Sequence, residues 1–333
     1  MEVVDVPEPG PAEPGCVVVR PETIGICGSD FHYFHGNLGS VTDDELYPRI
    51  QGHEFSAIIE DVGPGCPPAL EAGQRVAVWP VIACGSCYAC RRGLGNACER
   101  IALIGIHRDG ALQERLSIPA TQAFPVTGID ARLTAFIEPM SIAVRTVERG
   151  RVAAGERVLV LGAGPIGQAV TIAALDRGAR VLMVDRLAAR LERGGASGAD
   201  LAPIEPGEDL VALARAWGGG ELPEVVVEAT GAQEPMRASL DAVAQTGRVL
   251  VVGLSTHDVP LRIGTLPFRE LDVLGVSTCS ADDFAEAVAL VARRSDAVER
   301  LITHEYALED APAAIAFAID NPEEAMKVLV HAS

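Results

Sequence analysis

The sequence predicts an α/β protein of two domains, in which a β-rich part is followed by a doubly wound parallel sheet. The first third of the chain is rich in Gly and Pro and carries short β-branched runs. From about Ala135 onwards, apolar strands and helices alternate, and a glycine-rich turn joins one of these strands to a helix. With 333 residues, 48% of them hydrophobic and 22% charged, the chain is long enough for two globular domains.

Individual elements follow from the apolar runs. Residues 17–20, 55–62, 75–81 and 112–118 are predicted strands of the first domain, which we place at residues 1–134. The second domain, residues 135–276, should contain strands at 157–161, 180–184, 225–229, 248–252 and 272–276, and a helix at 165–177. Two further helices, 282–293 and 309–319, and a strand at 326–330 complete the chain.

Charge and cysteine usage restrict the function class. A formal net charge of -19 disfavours nucleic acid and anionic membranes as partners, because both reward a basic surface. No apolar run approaches the ~20 residues of a bilayer span, and residues 1–10 lack the basic flank and apolar core of a signal peptide. Four of the eight cysteines lie in one metal-like spacing, which is typical of a reducing compartment. We therefore expect a cytoplasmic protein.

A dinucleotide-binding turn is predicted at Gly162-Ala163-Gly164-Pro165-Ile166-Gly167, which follows a strand and opens a helix. Glycines allow the backbone to approach a pyrophosphate, whose charge is met by the amides of the helix N-terminus. Asp185 ends the next strand and would bind the ribose hydroxyls, which favours NAD over NADP. Arg186 and Arg190 lie close by and weaken that preference.

Two metal sites are predicted. Cys84, Cys87, Cys90 and Cys98 have the spacing of a closed structural zinc site, and the acidity of the chain argues against a nucleic-acid zinc ribbon. A catalytic zinc needs three protein ligands and one open position. Cys27 and His53 are the first two candidate ligands, and the third is either Glu54 or Glu138. Glu138 could instead be a catalytic partner of the zinc-bound water.

Taken in order along the chain, these motifs resemble the zinc-dependent medium-chain alcohol and polyol dehydrogenases, the sorbitol dehydrogenase branch in particular. The resemblance covers nearly the whole chain and implies a GroES-like catalytic domain, a Rossmann domain, two zinc ions per chain and a homodimer or homotetramer. It also implies that residues 277–333 return to the first domain. Members of the family have one more strand before the position of Val3, so the first sheet should lack an edge.

The resemblance also implies roles for single residues. Ser29 would take the proton of the alcohol and pass it through the cofactor ribose to His32, with Asp30 orienting the turn or a ligand imidazole. The alternative is that Ser29 caps a turn and His32 packs at a polar edge. Tyr33 would line the substrate pocket. Neighbours of the cofactor would be Arg190, Thr230, Gly253, Leu254, Val276 and Ser277.

The predicted function is NAD-linked oxidation of a secondary hydroxyl on a small-molecule polyol, sugar or sugar acid. Sorbitol itself is in doubt, because Ser277-Thr278-Cys279 replaces an arginine that sorbitol dehydrogenases use for polyol contact. An amino-alcohol dehydrogenase of the threonine type is a second possibility. A silent cofactor-binding relative is a third, against which the intact set of Cys27, Ser29, His32, His53 and Glu138 argues.

Overall fold

The computed structural model describes residues 1–36, 47–255 and 257–332. Its strands are β1 Cys16–Gly25, β2 Glu54–Val62, β3 Arg75–Val78, β4 Val81–Ile82, β5 Ala102–Leu103, β6 Leu116–Pro119, β7 Ala123–Pro125, β8 Arg157–Leu161, β9 Arg180–Asp185, β10 Asp200–Pro203, β11 Val225–Glu228, β12 Arg248–Val251, β13 Asp272–Gly275, β14 Ile302–Ala307 and β15 Lys327–His331. Its helices are α1 Gly28–Phe34, α2 Tyr88–Arg91, α3 Ala131–Ala135, α4 Ile137–Arg149, α5 Pro165–Asp176, α6 Ala188–Gly194, α7 Leu210–Trp217, α8 Gln233–Ala242, α9 Thr265–Arg269, α10 Ala281–Arg293, α11 Ser295–Glu299 and α12 Ala311–Asp320.

The first unit, Met1–Ser141 with Thr278–Ser333, is built on a seven-stranded sheet. The strands follow the order β14-β15-β1-β2-β3-β7, and β6 pairs with β1. All pairs are antiparallel except the parallel β14–β15 pair. The C-terminal strand β15 lies beside β1, with Ile24 opposite Val330. The buried apolar face of β1 and β2 packs into one core of the unit.

The second unit, Ile142–Ser277, is an open sheet of six parallel strands in the order β10-β9-β8-β11-β12-β13. The first strand of the unit, β8, lies in the middle of the sheet. Strands β9 and β10 extend the sheet on one side, and β11, β12 and β13 extend it on the other, as in doubly wound dinucleotide-binding folds. Strands β8 and β11 lie at the centre, and their Val and Leu side chains are almost completely buried. The fold class predicted from the sequence is thus confirmed for both units.

The helices are short. The longest, α4 and α10, contain 13 residues each. Helix α5 begins with Pro165, which suits a first helical position because the N–H that proline lacks would have no partner there. Eight consecutive residues of this helix, Gly167 to Ala174, are buried. Among residues 1–36, 47–255 and 257–332, no helix is long and apolar enough to cross a membrane.

Some elements differ from those predicted. The predicted strand 75–81 is divided into β3 and β4, because Pro80 cannot donate a ladder hydrogen bond. In the predicted strand 112–118 only Leu116 onwards is extended, since the Leu112 amide bonds the Gln51 carbonyl instead. The two compact units divide inside helix α4, between Ser141 and Ile142.

We expect Phe284→Ala in α10 to lower the free energy of unfolding of the first unit by about 3–5 kcal/mol. The Phe284 side chain is fully buried, and its ring centroid lies 4.9 Å from that of Phe124. Glu286→Ala on the exposed side of the same helix is the control and should cost less than about 1 kcal/mol. Equal urea-unfolding midpoints for both variants would show that the C-terminal segment is not part of this core.

Candidate active site and metal centres

Three predicted ligands converge at one end of the first sheet. Cys27 precedes α1, and His53 and Glu54 lie at the start of β2, where Glu54 pairs with Gly25 at the end of β1. One ligand atom from each of Cys27, His53 and Glu54 lies within 4.8 Å of the others. A thiolate, an imidazole and a carboxylate are ligands that zinc accepts, and three protein ligands leave a fourth position open. The donor set therefore fits a catalytic zinc.

The His53 imidazole is held between two residues of α1. Its Nε2 lies 3.3 Å from the Ser29 hydroxyl, and its Nδ1 lies 3.8 Å from the Asp30 carboxylate. Burial alone would lower the pKa of His53, but the Asp30 and Cys27 charges raise it above its usual value. Histidines that bind zinc typically direct their second nitrogen to a carboxylate. At 3.8 Å the Asp30 carboxylate is too distant for a hydrogen bond, and Nδ1 has no hydrogen-bond partner among the described residues, so the contact between Asp30 and His53 is electrostatic.

Asp30 itself is fixed by the turn. Its Oδ2 accepts a hydrogen bond from the Cys27 amide at 2.9 Å, which ties the thiol position to the first turn of α1. The Gln51 side-chain amide donates to the Asp30 backbone oxygen at 3.3 Å. Burial raises the pKa of the Asp30 carboxyl, although the nearby His53 opposes that rise.

Lys327 is a residue of the site that the sequence did not reveal. Its ammonium group is buried and donates to Glu54 Oε2 at 2.5 Å and to the Ile26 carbonyl at 3.0 Å. A Cβ on Gly25 would lie only 2.2 Å from the same Glu54 oxygen, so the close approach requires glycine there. The one available signal was a single lysine within the apolar strand predicted at 326–330.

Glu138 lies in the first turn of α4 and is buried. It is not in the group of ligand atoms formed by Cys27, His53 and Glu54. Burial raises the pKa of Glu138 to about 7, against the opposing effect of the nearby His53. The neighbouring Ser141 hydroxyl contacts the Cys279 sulfur at 3.0 Å. Glu138 is thus a close neighbour of the candidate ligands that can carry a proton near neutral pH.

The four-cysteine cluster is compact. Its sulfur atoms are 3.9 Å apart for Cys84 and Cys90, 3.4 Å for Cys87 and Cys90, and 3.9 Å for Cys87 and Cys98. Zn–S bonds of about 2.3 Å in a tetrahedron separate sulfurs by about 3.8 Å. A hydrogen bond from Arg100 lowers the pKa of Cys84 to about 5, whereas burial raises that of Cys90 to about 12. The spacing fits a structural zinc.

The glycine-rich turn has the space that a dinucleotide needs. A Cβ on Gly167 would lie 1.8 Å from the Gly162 carbonyl oxygen, so this glycine lets α5 pack closely against the turn. Around Gly164, by contrast, the only atom within 4 Å of such a Cβ is Arg190 Nη1, at 3.8 Å, among the atoms the structure describes. Open space in front of a helix N-terminus suits a phosphate group. Pro165 and Ile166 form the first turn of that helix.

Asp185 ends β9 next to the turn. Its carboxylate accepts hydrogen bonds from the Ala163 amide at 2.6 Å and the Leu187 amide at 2.9 Å. The other predicted cofactor neighbours follow the carboxyl ends of β11, β12 and β13, the edge at which open parallel sheets bind ligands. They are Thr230, Gly253, Leu254, Val276 and Ser277.

Helix α1 carries the predicted proton-transfer and substrate residues. His32 and Tyr33 follow Ser29 by three and four residues, so each lies about one helical turn from Ser29. His32 is half-buried. The Tyr33 ring is buried, its centroid lies 4.4 Å from that of Tyr47, and burial raises its pKa to about 12. Of the three, Ser29 contacts His53, and His32 and Tyr33 lie one turn later on the same short helix.

Comparison with known proteins defines the class. Residues 13–128 match the model of the alcohol dehydrogenase GroES-like domain, and residues 165–293 match that of the zinc-binding dehydrogenases. The chain belongs to the zinc-dependent medium-chain alcohol and polyol dehydrogenase family, and it is an oxidoreductase.

The names of two relatives describe enzymes that act on polyhydroxylated compounds. The chain is 36% identical over 303 residues to the L-galactonate-5-dehydrogenase of Escherichia coli K12, covering 91% of this chain and 86% of the relative. It is 33% identical over 317 residues to human sorbitol dehydrogenase, covering 93% and 87%. The resemblance to polyol dehydrogenases expected from the motifs is therefore confirmed.

Solved structures add the cofactor class. An alcohol dehydrogenase of Escherichia coli CFT073 in complex with NADH has a TM-score of 0.87 and 28% identity, covering 97% of this chain and 94% of that one. A protein of Sinorhizobium meliloti 1021 bound to NADP has a TM-score of 0.87 and 31% identity, covering 99% and 94%. Relatives of this chain thus bind nicotinamide dinucleotides of both kinds.

Removing Lys327 should leave the Glu54 carboxylate buried without its cation. We expect Lys327→Met to lower the free energy of unfolding of chelator-treated protein by about 3–5 kcal/mol. The double variant Glu54→Leu/Lys327→Met should recover most of that loss, because it buries no unpaired charge. Urea unfolding monitored by circular dichroism makes the comparison. A double variant no more stable than the single one would contradict the importance of this ion pair.

Proposed function

We propose that the protein oxidises a secondary hydroxyl of a polyol, sugar or sugar acid, with NAD as hydride acceptor and a zinc ion held by Cys27, His53 and Glu54. The observation that carries the proposal is the convergence of these three ligand atoms within 4.8 Å. The sugar-acid and polyol relatives support the substrate class.

Glu54 is our choice as the third ligand. Its Oε2 is held by Lys327, which leaves Oε1 available to the metal. Glu138 lies outside the ligand group and is the better candidate for a nearby proton carrier. The charge balance also favours a cation. Three carboxylates, Asp30, Glu54 and Glu138, are buried around a single lysine.

The side chains of α1 would manage the substrate proton. When bound there, zinc lowers the pKa of an alcohol hydroxyl and so favours loss of its proton. The Ser29 hydroxyl, 3.3 Å from His53, would accept that proton, and His32 one turn later would release it to solvent. Tyr33 would contribute to the wall of the substrate pocket.

The coenzyme proposal rests on Asp185. Its carboxylate is fixed by two backbone amides beside the glycine turn, where it would accept hydrogen bonds from ribose hydroxyls and repel a 2′-phosphate.

We also propose a second, structural zinc at Cys84, Cys87, Cys90 and Cys98, a homodimer or homotetramer, and a cytoplasmic location. The acidic composition and the eight free cysteines support the last of these.

Loss of zinc should abolish activity at one site and lower thermal stability at the other. We expect fresh protein to contain two zinc ions per chain by elemental analysis. Cys27→Ser should retain one and lose NAD-dependent oxidation across a panel of polyols, sugar acids and amino alcohols, with little change in melting temperature. Cys84→Ser should lower the melting temperature sharply, because the structural ion contributes to folding. Active Cys27→Ser protein would rule out the proposed catalytic centre.

Coenzyme preference should depend on the Asp185 charge. We expect the parent to have a higher kcat/KM with NAD than with NADP, and Asp185→Ser to shift that ratio towards NADP by roughly tenfold or more. Glu192→Ala, which removes an exposed carboxylate from α6, is the matched control and should leave the ratio unchanged. Equal kcat/KM with both coenzymes in the parent would mean that Arg186 or Arg190 outweighs the carboxylate.

A further inference from the structure

One arginine lies beside the candidate active site and has an unsatisfied donor. Arg49 precedes His53 by four residues, and its side chain is 21% exposed. Its Nη1 contacts Asp109 Oδ1 at 3.3 Å. Its Nε is buried and has no hydrogen-bond partner in the described part of the chain. A buried charged donor without a partner is costly, which raises the question of what pairs with it during function.

Tyr33 connects Arg49 to the reacting end of the site. The Arg49 guanidinium lies close enough to Tyr33 to oppose the rise in pKa that burial causes at the Tyr33 hydroxyl. Tyr33 lies on the same face of α1 as Ser29 and four residues later, a rise of about 6 Å along the helix. Tyr47, two residues before Arg49, packs on Tyr33 with ring centroids 4.4 Å apart, and its hydroxyl donates to the Tyr33 carbonyl at 2.7 Å. Since Ser29 contacts His53, helix α1 connects the candidate metal ligands with the segment that carries Arg49.

His107 lies two residues before Asp109, the residue that contacts Arg49, and supplies a second donor. Its Nδ1 accepts a hydrogen bond from the Leu103 amide at 3.1 Å, so the neutral ring carries its proton on Nε2. Burial and the Arg49 charge lower the pKa of His107, which keeps the ring neutral. A guanidinium fork with an imidazole N–H close by is a donor set suited to a planar carboxylate.

We propose that Arg49, assisted by His107, binds the carboxylate of a sugar-acid substrate whose hydroxyl is oxidised at the Cys27–His53–Glu54 centre. The inference rests on the function proposed above and selects sugar acids within that class. Asp109, whose side chain is 51% exposed, occupies part of the guanidinium in the structure. It competes with the substrate carboxylate for Arg49.

The simpler interpretation is a purely structural pair, in which Arg49 and Asp109 fasten residues 107–112 to residues 49–52. Asp109 also accepts from the Ile50 amide at 3.2 Å, and that bond would fasten the same segments without Arg49. The two interpretations predict opposite effects of Asp109→Asn. A structural pair makes loss of either partner harmful, whereas a competing carboxylate makes its removal favourable to an anionic substrate.

The test is steady-state kinetics of the zinc-loaded enzyme with L-galactonate and other aldonates, and with the alditols of matching configuration. We expect Arg49→Gln to raise KM for aldonates roughly 10- to 100-fold, the range of a charge-assisted hydrogen bond, and to leave kcat/KM for alditols within about twofold. Asp109→Asn should lower KM for aldonates. Arg108→Gln, which removes an exposed charge next to His107, is the control and should change neither.

The alternative outcomes are distinct. Equal losses on aldonates and alditols in Arg49→Gln, or a higher aldonate KM in Asp109→Asn, would assign Arg49 to structure and overturn the subsite. A stronger effect on sugar phosphates than on aldonates would overturn the carboxylate assignment. A parent enzyme that oxidises alditols but no aldonate would remove the subsite alone, whereas one that oxidises no alcohol in the panel would remove the proposed function.

Discussion

The buried ion pair between Glu54 and Lys327 is the interaction on which the first unit depends. It joins the start of β2 to β15, which are 273 residues apart in sequence, and so fixes the C-terminal strand beside β1. The same contact sets the position of a carboxylate next to Cys27 and His53. The same ion pair therefore stabilises the fold and positions a candidate metal ligand. Leaving either charge buried and unpaired would cost several kcal/mol of stability.

Several other buried ionisable groups lie around this ion pair. Asp30, Glu54 and Glu138 are buried with one lysine and one histidine, and burial raises the pKa of Asp30 and Glu138. A divalent cation bound by a thiolate and a carboxylate would offset the excess negative charge that burial makes unfavourable. In the second unit, glycines and not buried charges shape the candidate ligand site. Glycines at the carboxyl edge of its sheet bring backbones into close approach and leave space for a charged ligand.

Local sequence patterns predicted much of this arrangement, and long-range pairing accounts for what they missed. The cysteine spacing and the glycine turn are short motifs, so the elements around them could be placed without knowledge of the fold. Lys327 could not be linked to Glu54, because no local pattern records a contact across 273 residues. The choice between Glu54 and Glu138 was open for the same reason. Strand 75–81 was predicted too long because its apolar content outweighed the effect of Pro80.

The central claim is that Cys27, His53 and Glu54 hold a zinc ion whose carboxylate ligand is also bound to Lys327. Crystals of zinc-loaded protein measured on both sides of the zinc absorption edge test it most directly. We expect two anomalous peaks per chain, one among the four sulfurs of the cysteine cluster and one within about 2.3 Å of the Cys27 sulfur. Glu54 should face that second peak and keep its contact with Lys327. A chain with zinc only at the cysteine cluster, or with Glu138 in place of Glu54 at the second peak, would contradict the account.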